Sequence, residues 1–427
     1  MKRKKKNSTN KQSKQENRHQ QNEFYKKMKQ MVVKLGDTQT LHFLDAYSPD
    51  QLLHIHLRPY KIINPDDGQL KVSQKNLWVL NKELNEMLHR TIINIGKQQL
   101  PVCLYDFRIY VQPLYWLWQF RLDHEPDRAE EIRSWFPVFN DSFNDYVADA
   151  LRQVEDCLEV LSLLYSDFTS SLICFIPQKM PESKSPYDVS AFYSNYIINQ
   201  KEPETELLEI DGHKRTVYRI FANIKQVYTP LVLTPENLGI TGMLQTFPLK
   251  VYIQQHALDR LKERVGNYFS DISYILVIES LLERPIHSDN GRLLFPFMNS
   301  RSKLGYLSAV ITGDKLVVLT FLFITNNGTP EGKRLHDLIG LQKEDKKYLG
   351  IDKLSTFIRS DIGQNEKLKD LFCKAGCGAL FELSKAGLVQ PDQKEILCAA
   401  YIARYLGMGQ ATLAAADSTY PSTSPSF

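Results

Sequence analysis

The sequence predicts an α+β protein of more than one domain. Its 427 residues exceed the length at which one hydrophobic core usually stops growing. Apolar residues make up 43% of the chain and aromatics 11%, enough to fill sizeable cores. Stretches of helical and of strand periodicity are mixed along the N-terminal half, and the C-terminal part reads helix, helix, strand, strand, strand. A mixed N-terminal region is therefore expected to precede a small helix–helix–three-strand module and a helical C-terminal segment.

The chain opens with MKRKKKNSTNKQSKQENRHQQNE, a Lys, Gln, Asn and Ser tract that cannot offset its ordering entropy by burial. Residues 1–30 are expected to be a disordered basic tail. Residues 1–36 hold 12 Lys and Arg against two Glu, whereas the remainder holds 41 basic against 47 acidic residues. The positive charge thus belongs to the tail, which can contact nucleic acid by counterion release or serve only as a solubilising leader. No window of 18 uncharged apolar residues occurs, so no transmembrane helix is expected. The basic start has no apolar stretch behind it and does not read as a secretory signal. Six cysteines do not suggest a disulfide scaffold, and a reducing cytoplasm fits. Cys373 and Cys377 are the only close pair, with no histidine nearby, and read as thiols of a helical segment.

Residues 31–240 read as a mixed α/β domain of unassigned function. LLHIHLRPY suggests a strand with His54 and His56 on one face, and no third metal ligand is identifiable. NLWVLNKELNEMLHRTIINIG (76–96) has helical spacing, LPVCLYDFRIYVQPLYWLWQF (100–120) has strand-like alternation, and 145–168 is a long helix. The aromatics from Tyr105 to Phe136, beside Arg108 and Arg121, read as sheet core, with a base-stacking platform as the alternative. LTPENLGITGMLQTFPL (233–249) is rich in turn residues and is taken as a domain boundary. A module at 250–362 follows. Two or three helices are expected in 363–410, then a disordered polar tail at 411–427.

Within the module, HALDRLKERVG (256–266) is an amphipathic helix. Leu258, Leu261 and Val265 share one face, and His256, Arg260 and Arg264 share the other. Asp259 and Glu263 stand close enough to make that face an ordinary solvated one. A second helix spans 270–285, with Ser270 as a cap and Pro285 as a stop. GRLLFPFM (291–298) reads as a strand. LGYLSAVITGDKLVVLTFLFIT (304–325) reads as two strands joined at Gly313-Asp314, a type II′ hairpin signal.

VYIQQHALDRLKERVG, ISYILVIESLLERP and DKLVVLTFLFIT follow the order of a strand entering H-A-x-x-R-x-x-x-R, a helix, an edge strand and a hairpin ending in V-V-x-T. Residues 250–325 resemble the small bacterial DUF4258-type proteins, which are similar to BrnT and the RelE/ParE toxins. The chain departs from that pattern in a longer NYFSD join. The resemblance implies a RelE-like module and a candidate nucleic-acid-processing site, since members cleave RNA or bind partner proteins and DNA gyrase. Only His256, Arg260 and Arg264 match family positions.

The sharp form of this expectation is metal-free RNA cleavage, an endoribonuclease activity that needs no cofactor. His256 supplies an acid/base of near-neutral pKa, and Arg260 and Arg264 clamp the phosphate through their forked donors. His336, with Lys333 and Arg334 as nucleic-acid-binding residues, is a second basic site that can complete the constellation. The alternative is a non-catalytic protein- or DNA-binding protein in which the module is scaffold and the N-terminal region makes the main contacts. The partner is RNA or DNA, or a protein, and no membrane is expected.

Overall fold

The computed structural model describes residues 19, 21–48, 52, 58–66, 70–140, 142–178, 195–224, 227–240, 247–288, 290–299, 302–385 and 398–408. The chain is α+β and divides into two compact units, 1–203 with 221–229, and 204–220 with 230–427. His54 and His56 lie outside the described residues, as do 411–427.

The first unit begins with helix α1 (21–35), which buries Phe24, Met28, Met31, Val32 and Leu35. The folded body therefore starts before residue 31, inside the tract expected to be tail. Phe24 and Met28 extend a helical apolar stripe that the surrounding Lys and Gln conceal. Strand β1 (Lys61–Ile63) precedes helix α2 (Gln74–Arg90), whose N-terminus is capped by Ser73 accepting from Asn76 N. Leu80, Leu84 and Leu88 form its buried stripe. Strands β2 (Ile92–Ile95) and β3 (Leu100–Cys103) pair as a hairpin.

Beyond Cys103 the expected strand is helix instead. A short turn leads into a π-helical segment, Phe107–Val111, and then into α3 (Gln112–His124). Pro113 lacks the N–H that would bond to Ile109 and its ring crowds that carbonyl, so the helix widens there. Nearly every residue from Phe107 to Trp118 is buried, which erases the 3.6-residue alternation a half-exposed helix displays. Most of these aromatics are buried, in a helical layer and not in a sheet, packing on one another and on Phe143, whose ring centroid is 4.3 Å from that of Tyr115; Phe120 is exposed. Arg121 is held by Glu125 at 2.7 Å and lies 4.8 Å from the Trp135 ring. Helices α4 (Ala129–Trp135) and α5 (Phe143–Tyr165) complete the helical layer. α5 packs on strand β4 (Leu172–Pro177), which pairs with β5 (Asn195–Lys201), itself parallel to β1.

The second unit is built on a sheet that takes in a hairpin from upstream of the expected boundary. Strands β6 (Thr205–Ile210) and β7 (His213–Arg219) turn at Asp211-Gly212, with φ of +52° and +74°. Positive φ at both central residues is the type I′ geometry. Along the chain β7 is followed by β8 (Phe221–Ile224) and β9 (Val227–Pro230), which pair with each other; residues 221–229 belong to the first unit. The remaining strands are β10 (Val232–Leu233), β11 (Leu249–Gln254), β12 (Ile286–His287), β13 (Leu293–Asn299), β14 (Ser302–Thr312) and β15 (Lys315–Phe323). The sheet order is β12-β13-β14-β15-β11-β7-β6, with β10 beside β11. β15 is central and runs parallel to β11; both its faces are covered, so it reads as an almost continuous apolar run. The β14–β15 turn falls on Gly313-Asp314, with Gly313 at φ +59°, as the II′ signal predicts.

Helix α6 (Gln255–Val265) leaves β11 directly and packs on β15, and α7 (Ser273–Leu282) packs on β13. The two are joined by a 3-10 segment, Gly266–Ile272, so Ser270 is not the cap of α7. The C-terminal helices are α8 (Pro330–Ile339), α9 (Lys343–Tyr348), α10 (Leu354–Arg359), α11 (Glu366–Ala375), α12 (Ala379–Lys385) and α13 (Ala399–Tyr405). α12 packs on β14.

Candidate functional site

The α6 face emerges as drawn from the wheel, but its cations are already engaged. Arg260 bonds to Glu263 at 2.5 Å, one turn along the helix. Arg264 pairs with Asp352, which lies before α10, and both side chains are nearly buried, at 11% and 7% exposure. A guanidinium so held fastens α6 to the C-terminal helices and is not presented to a phosphate. His256 is exposed in the first turn of α6. Its imidazole titrates below its ordinary value, first because of desolvation and then because Arg260 and Arg215 stand beside it. The second cation near the histidine is thus Arg215, from β7, which adjoins β11 in the sheet.

The other expected site residues sit elsewhere on the unit. His336 lies in the last turn of α8, with Nδ1 2.9 Å from Leu341 O. It makes no hydrogen bond or ion pair with His256, Arg260 or Arg264 among the described residues. Arg334 donates Nε to Ala375 O at 3.0 Å and faces Glu331 at 3.4 Å, tying α8 to the end of α11. Lys333 is exposed beside it.

Around Arg334 runs a buried polar network. Glu331, 5% exposed, accepts from Lys303 at 2.8 Å and from the Tyr306 hydroxyl at 3.1 Å. Lys346, 1% exposed, donates to Gly332 O at 2.9 Å and to Asn327 Oδ1; burial depresses its ammonium to about 8. Desolvation raises the buried Cys377 thiol to about 12, so it is protonated at neutral pH. Among the described residues no group of three or more His, Cys, Asp or Glu is placed to hold a metal ion. No helix among them is long and apolar enough to cross a membrane.

The first unit holds an open feature that sequence patterning did not single out. A groove of about 630 Å³ runs between the start of β1 and the outer side of α2. Trp78, 66% exposed, stands on its α2 wall. On an ideal wheel it falls roughly 160° from Leu80, away from the leucine stripe that packs inward. Lys82, one turn on, has its ammonium 5.9 Å from the Trp78 ring and 3.7 Å from Glu86. Arg58, Lys61 and Tyr60 line the opposite wall, and none of the described lining residues is acidic. Asn81 bonds through its amide to both Ile62 N and Ile62 O, at 2.8 and 2.9 Å, which holds β1 to α2. The sequence signal for this groove was present: a tryptophan off the apolar stripe of an otherwise regular amphipathic helix.

Compared with known protein families, curated proteins and solved structures, the chain matches none.

Proposed function

We propose that the protein binds single-stranded nucleic acid without cleaving it, through the Trp78 groove of the first unit. One observation carries this function: an exposed tryptophan flanked by Arg58, Lys61 and Lys82 in a groove free of described acidic residues. An indole face stacks any base, and cations along the same groove follow the phosphates, which is how sequence-tolerant single-strand binders work. The chain outside residues 1–36 is net acidic, so such a cluster is a local exception and not the general surface. Lys26, Lys27 and Lys29 on the outer side of α1, with the basic residues before them, add non-specific attraction. The test is fluorescence anisotropy of a labelled oligonucleotide against wild type and Trp78→Ala, with the oligonucleotide checked for integrity afterwards. Equal affinity of the two proteins overturns the proposal.

A second reading, phosphodiester cleavage at His256 in a RelE-like module, is favoured by one observation: a histidine held toward its neutral form, first by desolvation and then by Arg260 and Arg215 beside it, can act as a base beside cations. It does without Arg264, which Asp352 occupies. RNA breakdown by wild type that His256→Ala abolishes would favour it over simple binding. Intact RNA after incubation with wild type would end it.

A further inference from the structure

The first unit also contains a cavity of about 270 Å³ between the π-helical segment and α5. Its rim is formed on α5 by Asn144 and Ala148, both exposed. Its walls are apolar, chiefly Phe107, Val147, Leu151 and Val154, and its polar groups are few. Two of them, Arg108 and Gln112, are each 3% exposed. Arg108 Nη1 donates to Gln112 Oε1 at 3.1 Å, and its guanidinium carbon lies 4.9 Å from the Tyr60 ring centroid. The fully buried Tyr196 hydroxyl, without a hydrogen-bond partner, is electrostatically coupled to the same guanidinium.

The local backbone explains how a cation comes to line an apolar cavity. The π turn before Pro113 sets Arg108 and Gln112 on the cavity side together, and π turns of this kind recur at functional sites. Guanidinium stays protonated wherever it is buried, and its planar fork matches the two oxygens of a carboxylate. One such fork balances one negative charge; a phosphate dianion would call for a second cation. Apolar walls around a small number of polar groups are the composition of a small-molecule pocket. A cavity of about 150 Å³ accepts a benzene ring, so 270 Å³ leaves room for a ring and a short acidic arm.

We propose that this cavity binds a small monocarboxylate with an apolar body, its carboxylate on Arg108 and Gln112 and its body among the α5 side chains. The test is isothermal titration of the full chain with 3-phenylpropanoate and octanoate, with 3-phenylpropanamide as the uncharged counterpart. Saturable binding of at least one acid is expected, with the amide weaker by about ten- to a hundredfold, the scale of one charge-assisted hydrogen bond. Arg108→Gln should weaken the acid by the same factor. Ala148→Trp, at the exposed rim, should close the entry while leaving the melting temperature unchanged, and it keeps the test decisive if Arg108→Gln does not fold. Equal affinity for acid and amide, no uptake of either acid at millimolar concentration, or unchanged uptake by Ala148→Trp would each overturn the proposal. Oligonucleotide binding plays no part in these readouts, so the fate of the groove is judged separately.

Discussion

Substituting the groove residues separates stacking from charge. Trp78 is 66% exposed, so Trp78→Ala removes a ring without opening the core. Base–aromatic stacking contributes about 1–3 kcal/mol per base, and each 1.4 kcal/mol is about tenfold in affinity. Binding should therefore weaken by roughly five- to 150-fold, with little change in salt dependence. The charge variant, Arg58→Gln with Lys61→Gln and Lys82→Gln, acts on the other term. Each phosphate contact with a single strand contributes about 0.7 to the slope of log K against log salt, so three cations account for a slope of about 2. Glu86, 3.7 Å from Lys82, already screens one of them, which makes 2 the upper value. Anisotropy of a fluorescein-labelled oligo-dT, measured over a series of sodium chloride concentrations, reads both quantities. A charge variant that keeps the wild-type slope would refute the groove as the path of the strand. If deletion of residues 1–18 removed the whole slope instead, attraction would belong to the tail.

Three further outcomes follow from the second unit. Arg264→Met strands Asp352 as an unpaired, nearly buried carboxylate and should cost about 3–5 kcal/mol in urea unfolding; a loss below about 1 kcal/mol would mean a solvated pair of little weight. The His256 imidazole should titrate by NMR below 6.5, and Arg215→Gln should move it upward. Because its folded value is depressed, the unfolded chain takes up the proton first, so the histidine lowers stability as pH falls through about 6.5 and has no effect well above it; a midpoint above 6.5 refutes this. Lys346 has its ammonium depressed from 10.5 to about 8, so the cost of burying it is relieved as pH rises through that window. The stability difference between wild type and Lys346→Met should shift toward wild type by on the order of 2–3 kcal/mol from pH 8 to 10.5; a pH-independent difference would show the lysine to be hydrated.

Elements whose pattern is local were legible from the sequence. Helices α2 and α5 carry a clear 3.6-residue stripe, and the β14–β15 hairpin carries both its apolar run and its Gly313-Asp314 turn. The misreadings have physical causes. From Phe107 to Trp118 burial is nearly all-round, so no polar face remains to mark the period, and chance alternation of Arg, Tyr and Gln imitated a strand. The β6–β7 hairpin had its own signal, Asp211-Gly212 between alternating runs, but the richer turn composition at 233–249 drew the boundary downstream. Trp78 was absorbed into a helix whose stripe it does not share.

The α6 face shows a limit of a different kind. Residues four apart on a helix share a face whether they await a phosphate or fasten the helix to its neighbours, and the spacing of His256, Arg260 and Arg264 is the same in either case. The two uses differ in the partner. Glu263 is close in sequence and lies on the same helix; Asp352 is 88 residues from Arg264 and belongs to a connection that helical periodicity leaves unmarked. Likewise Arg215 reaches the vicinity of His256 only because β7 aligns antiparallel to β11, with Val217 opposite Gln254. A site made by one helix alone can be read from a wheel, whereas the charge state of this one is set by a strand before it and a loop after it. Arg264→Met and Arg215→Gln therefore probe different properties of the same face: the first its attachment, the second the proton affinity of its histidine.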